Sequence, residues 1–129
     1  MPTKAQIRKS DTWILNFIKK ANSYFRRKFK VPDLSFTLHG IKAGEAELLS
    51  NTIRINDELW RYGDPEVEST IGHEVAHCVV YQKFGIVKPH GIEWKAVLSI
   101  IGIPNETRCY DKSIKLTSVS KTKKKKDKK

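Results

Sequence analysis

The stretch TIGHEVAHCVVYQKFGIVKPHGIEW, residues 70–94, decides how the chain is read. It holds three of the four histidines: His73, His77 and His90. The first two bracket Glu74 in the pattern H-E-x-x-H. Residues four apart lie one turn apart on nearly the same helical face, so His73 and His77 can reach one metal ion. Glu74 lies one step round from His73, near the open position of such an ion without being a required ligand. Neutral imidazole suits Zn²⁺, and three protein ligands leave a fourth place for water. Zinc brings the pKa of that water to about 7. Glu74 can take the proton and pass it to a leaving amine.

A third ligand is required. A histidine six residues after His77 would satisfy the short-spacer pattern, but position 83 is Lys83. Glu93 is the nearest downstream glutamate. His90 is the better choice: it stands at the mouth of a helix after Pro89, where a loop can bring it back against the H-E-x-x-H helix. Glu93, one turn further on, can then orient His90 or another site group. A lone histidine on a helix is more often packing or surface, and His39, on the polar side of an alternating segment, is read as surface.

Working outward, Asp64-Pro65-Glu66 opens the motif helix, with Asp64 suited to the N-cap and Pro65 to the first helical position. Gly85 stops it after Phe84. A further helix is expected from about Gly91 to Ile101, stopped by Gly102 and Pro104. Upstream, Ser10, Asp11 and Thr12 are N-cap candidates for an amphipathic helix over about 11–29, with Ile14, Phe17, Ile18, Ala21, Phe25 and Phe29 at helical spacing. LSFTLHG (34–40) alternates as a half-buried strand. Gly40 and Gly44 mark turns. AELL (46–49) and TIRIN (52–56) flank Ser50-Asn51 as a hairpin. Asn56 or Asp57 can cap a short helix through Trp60 and Tyr62, which Gly63 breaks. The expected fold is α+β: an N-terminal helix, a small, mostly antiparallel sheet, the H-E-x-x-H helix and a following helix. Residues 1–10 are expected to be a flexible N-terminus, 11–112 one domain, and 113–129 a disordered lysine-rich tail.

The 129 residues carry a formal net charge of +11. The last nine, KTKKKKDKK, hold seven lysines and one aspartate, and the other 120 still carry +5. Lys121, Lys123, Lys124, Lys125, Lys126, Lys128 and Lys129 form a sequence-blind phosphate-binding candidate. The basic cluster Arg26, Arg27 and Lys28 is a second one, equally readable as a solvated helix end. No apolar run approaches a membrane span and no signal-peptide core stands at the start, so an intracellular protein is expected. Cys78 and Cys109 make no C-x-x-C pair and read as free thiols, with Cys78 a small buried residue. Oligomeric state is not legible, and a monomer is the default.

HEVAHCVVYQKFGIVKPHGIEW resembles the zinc-site segment of the SprT-like (Spartan-related) metallopeptidase family. There an H-E-x-x-H helix is followed by a loop and a histidine in an H-G-x-E-[WF] setting. FTLHGIKAGEAEL with TIRIN, and IIGIPNETR, extend the resemblance over about residues 11–108. It implies zinc ligands His73, His77 and His90, one Zn²⁺ per chain, Glu74 as acid/base, and a zincin-like fold. Thr52, Ile53, Arg54 and Ile55 would then form a sheet edge that pairs with an extended substrate. It implies proteolysis of DNA-bound or DNA-crosslinked proteins, in the cytoplasm or nucleoid, or in a host cytoplasm if phage-encoded. Many relatives carry a cysteine-rich zinc segment after the protease domain. Here the region holds Cys109 alone, and the lysine tail would take over the DNA contact. The alternative is a DNA-associated zinc-binding adaptor without proteolysis. Tyr62, Tyr81 and Tyr110 all remain open as oxyanion stabilisers.

Overall fold

The computed structural model describes residues 2–104. The order is α1 (Lys4–Phe25), β1 (Asp33–Leu38), β2 (Gly44–Glu47), β3 (Thr52–Asn56), a 3-10 helix (Asp57–Tyr62), α2 (Asp64–Phe84) and α3 (Ile92–Ile101). This is the expected α+β class with its helices in the expected order.

α1 begins earlier than expected. Residues 4–10, read as part of a flexible terminus, are its first turns. Thr3 is the N-cap: its hydroxyl accepts from the Gln6 amide and the Gln6 side chain accepts from the Thr3 amide. This reciprocal capping box satisfies two otherwise orphaned donors. Ser10, a cap candidate on sequence grounds, is instead buried inside the helix, its hydroxyl donating to the Gln6 carbonyl oxygen. α1 also stops sooner, at Phe25. Arg26 takes the left-handed conformation (φ 55°), and the Asn22 side chain accepts from the Phe29 amide. Phe29 still enters the core, edge-on to Phe25.

The sheet is mixed rather than mostly antiparallel, with order β1-β3-β2. β2 and β3 form the expected antiparallel hairpin, but β1 runs parallel to β3. Ile53 and Ile55, fully buried, share one face of β3 and enter the core that α2 helps to form. The segment through Gly40 (φ 97°) carries the chain from β1 past β3's position to the far edge. Gly44 is the first residue of β2, not a turn. Leu48 and Leu49 leave the strand for a four-residue turn that closes on Asn51 (φ 54°). The central place of β3 removes the expectation that Thr52, Ile53, Arg54 and Ile55 offer a free edge: both sides of that strand are already paired.

α2 runs through the middle of the molecule. Gly63, not Asp64, is its N-cap, with Pro65 in the first turn, and Gly85 is the C-cap as expected. Val67, Ile71, Val75, Ala76, Val79 and Val80 are buried on several faces of the helix, so it packs against α1, α3, β2 and β3 together. A helix apolar all round is a buried one. Gly72 permits the closest approach: a Cβ there would stand 2.6 Å from Ile103 Cγ1 and 3.3 Å from Phe17 Cζ. Among the described residues, no helix is long and apolar enough to cross a membrane.

Candidate metal centre

His73 and His77 project from one face of α2, but in different surroundings. His73 is 2% exposed, and its Nδ1 lies 2.7 Å from the Ser69 carbonyl oxygen one turn earlier. A carbonyl only accepts, so Nδ1 carries the proton and Nε2 keeps its lone pair for a ligand. His77 is half-buried at the cavity side of the helix.

His90 arrives from the loop after α2. Its backbone is left-handed (φ 58°), a region that histidine enters more readily than most residues. The Gly91 amide donates to the Lys88 carbonyl oxygen and closes the turn. The ring meets His77: the two Nε2 atoms lie 3.2 Å apart. Two nitrogens bound at 2.0–2.1 Å to one tetrahedral ion stand ~3.3 Å apart, so the pair already has ligand spacing. Without a cation between them, the same contact is a single hydrogen bond.

Burial, then the neighbouring charges of His90 and His73, pushes His77 down to about 4. His90 is lowered too, by burial and then by His73. His77 and His90 are thus both pushed towards the neutral form that binds metal. Among the described residues, no group of three or more His, Cys, Asp or Glu side chains stands as a closed metal cage. The structure brings together His77 and His90, with His73 beside them, rather than a finished triad.

Trp94 ties the three together. It is 1% exposed, with ring centroids 5.5 Å from His73, 5.3 Å from His77 and 4.4 Å from His90. Its indole N–H donates to the His73 carbonyl oxygen at 3.1 Å. Sequence reasoning placed Trp94 in the apolar face of α3 and assigned the orienting role to Glu93. Among the described residues Glu93 makes no hydrogen bond to His90; its Oε1 lies over Gly91. No spacing rule singled out Trp94 over Glu93, because His90 lies on a left-handed turn outside α3.

Glu74 is 5% exposed and reaches under the start of β2. A Cβ on Gly44 would lie 3.3 Å from its Oε2 and 2.9 Å from Thr70 Cγ2, so only glycine leaves the carboxylate this room. Its charge, after burial, helps raise Cys78 to about 12, which leaves that thiol inert and apolar in character. β1 and β2 are the sheet's two edges, and β2 is the one beside the site, because its Gly44 stands over the Glu74 carboxylate.

Tyr81 lines the same cavity as His77 and His90. Tyr62 sits at the end of the 3-10 helix beneath the Arg61 guanidinium, and Tyr110 falls outside the described residues. His39 is exposed, as expected. Arg26, Arg27 and Lys28 are exposed at the α1 end. The Arg27 guanidinium lies 4.6 Å over Phe29 and donates to the Gln82 carbonyl oxygen. Arg54 is engaged on the outer sheet face by Glu45 at 2.6 Å and Glu47 at 3.5 Å. Cys109 and the lysines from Lys121 to Lys129 lie outside the described residues.

Comparison with known proteins agrees with this architecture. Residues 14–115 match the SprT-like family. The chain is 44% identical over 97 residues to Protein SprT of Glaesserella parasuis serovar 5, covering 73% of this chain and 62% of that protein. It is 45% identical over 92 residues to Protein SprT of Actinobacillus succinogenes, covering 70% and 54%. It is 35% identical over 124 residues to Protein SprT of Pseudomonas fluorescens strain SBW25, covering 94% and 72%. The chain thus spans little more than half to three fifths of the first two relatives. No solved structure matches. With the helix-borne histidine pair, the returning loop histidine and a family match over most of its length, the chain belongs to the SprT-like family.

Proposed function

We propose that the chain is a zinc-dependent endopeptidase with a zincin-like catalytic arrangement, acting on DNA-associated proteins. The observation that carries the reading is the 3.2 Å approach of the His77 and His90 Nε2 atoms beside a buried Glu74. A structural zinc site needs no carboxylate beside it; a hydrolytic one does. His73, His77 and His90 would hold the ion, and their donor set suits Zn²⁺. When bound, zinc supplies Lewis acidity, activating water near neutral pH and polarising a carbonyl.

This chain's own residues do the rest. Glu74 accepts a proton from the attacking water on its carboxylate and returns it to the leaving amine. The open edge of β2 offers backbone groups to an extended polypeptide, which would bring the scissile bond past Glu74. Trp94 and the Ser69 carbonyl keep the imidazoles in their tautomer and orientation.

DNA association draws on charge. The net +11 survives in part without the terminal lysines. Arg27 and Lys30 line a cavity that shares Leu48 and Tyr81 with the one at His77 and His90, so the basic end adjoins the site. Phosphate contacts of this kind are sequence-blind and salt-sensitive.

The test is cleavage of casein and of a DNA-crosslinked protein by parent and Glu74→Gln chains, with a chelator lane and zinc analysis. Glu74→Gln should retain one zinc per chain and lose on the order of 10²–10⁴-fold in rate. Equal cleavage by the two chains sinks the role of Glu74. Zinc binding by a parent that cleaves nothing would instead support an adaptor.

A further inference from the structure

Beside the histidine pair lies a cavity of about 310 Å³ whose surface is largely apolar. Leu48, Val80, Ile86 and Val87 supply apolar walls, and Trp94 and the His77 and His90 rings stand among the other lining groups. No acidic residue lines it, and Lys88 is its one formally charged member. A second cavity of about 490 Å³ adjoins it and shares Leu48, Tyr81 and Ile86. Two large apolar side chains stand almost fully in water along this path, Leu49 at 89% and Ile86 at 88%. Such exposure beside a site of chemistry marks a contact surface.

β2 connects the pieces. Its Gly44 end lies over the Glu74 carboxylate, and the residue directly after its Glu47 end, Leu48, forms part of the cavity wall. A polypeptide laid along this edge therefore passes Glu74 and the histidines and then the apolar cavity. Successive side chains of an extended strand alternate, so one side chain next to the bond would point into it.

We propose that this cavity is a specificity pocket that takes a bulky apolar side chain of the polypeptide, adjacent to the bond held at the histidines. The proposal rests on the peptidase reading above. The size suits one branched or aromatic side chain, at the lower end of small-ligand pockets. A lysine or arginine entering it would lose its hydration with no acid to meet and Lys88 at the rim. An aspartate would be desolvated against apolar walls with Lys88 alone to meet it.

The experiment uses the full zinc-loaded chain and fluorogenic peptides that differ at one position: Leu, Phe, Ala, Asp or Lys. Leu and Phe peptides should be cleaved with kcat/KM on the order of 10-fold to 100-fold above Asp and Lys peptides, the factor expected for burying one such side chain. Ile86→Glu, a change at an exposed position of the cavity wall, should lower kcat/KM for the Leu and Phe peptides relative to the Ala peptide and raise it for the Lys peptide. Equal kcat/KM across the set, or an unchanged preference in Ile86→Glu, overturns the pocket. Binding of the same peptides to the Glu74→Gln chain is read in parallel by fluorescence anisotropy. Selective binding of Leu and Phe with no cleavage by the parent keeps the pocket and sinks the peptidase reading. Unselective binding sinks the pocket whatever the parent cleaves.

Discussion

The two sides of the metal centre are built differently. His73 sits inside α2, 2% exposed, bonded through Nδ1 to Ser69 and clamped through its own carbonyl by Trp94. His90 sits on an exposed turn with a left-handed backbone, touching His77 and Trp94 only through its ring. One candidate ligand is part of the core; the other is delivered by a loop. The difference teaches that, under the proposed zinc reading, folding fixes the His73 side of the centre in advance and leaves the His90 side to be set by the ion.

The sharpest way to break this contrast is to remove each ligand in turn. His73→Ala and His90→Ala should each weaken zinc binding by more than the roughly 100-fold seen when a supporting residue is lost. They should part company in the metal-free chain. His90→Ala should leave the unfolding free energy from denaturant titration within about 0.5 kcal/mol of the parent, as at other exposed sites. His73→Ala opens a cavity and should cost about 1–3 kcal/mol. Equal losses of metal-free stability would erase the distinction.

Trp94 tests the bridge between the halves. Trp94→Phe keeps a ring but deletes the hydrogen bond to His73, and should weaken zinc binding about 10-fold to 100-fold. Competition against a chelator of known affinity reads this, with circular dichroism confirming the helices. Unaltered affinity would reduce Trp94 to a packing residue.

The smallest effect is on pH. His77 titrates at about 4 when folded, against its ordinary 6.5. The unfolded chain therefore takes up this proton before the folded one does. The stability it contributes is present above about pH 6.5 and drains away as pH falls towards 4. Urea midpoints of the metal-free chain should fall across that window. Burial is the leading cause of the shift, so His90→Ala should keep most of the slope. A midpoint independent of pH, once His77→Ala is subtracted, would contradict the burial of that ring.

How much of this was legible before folding can be judged residue by residue. The caps of α2 and α3, Gly85 and Gly102, were readable because helix ends obey local chemistry. So was the His73–His77 pair, since one turn of helix fixes its geometry. The α1 start was written in Thr3-Lys4-Ala5-Gln6, a capping box outweighed in reading by three cap-like residues at 10–12. Strand order was hidden. Alternation shows which face of β3 is buried but not which strands flank it, and TIRIN reads alike in the centre or at an edge.

The sequence by itself determined the histidine pair's helical spacing, most of the elements and the family, because each depends on residues close in the chain, and it supplied the candidate ligand types. Only the tertiary structure decided that β2 holds the edge beside the site, that Trp94 rather than Glu93 touches the imidazoles, and that an apolar cavity joins β2 to His77 and His90. Those facts depend on which distant segments share one core. That choice comes from burying Ile53, Ile55, Ile71 and Trp94 together, a global optimum that no local pattern records.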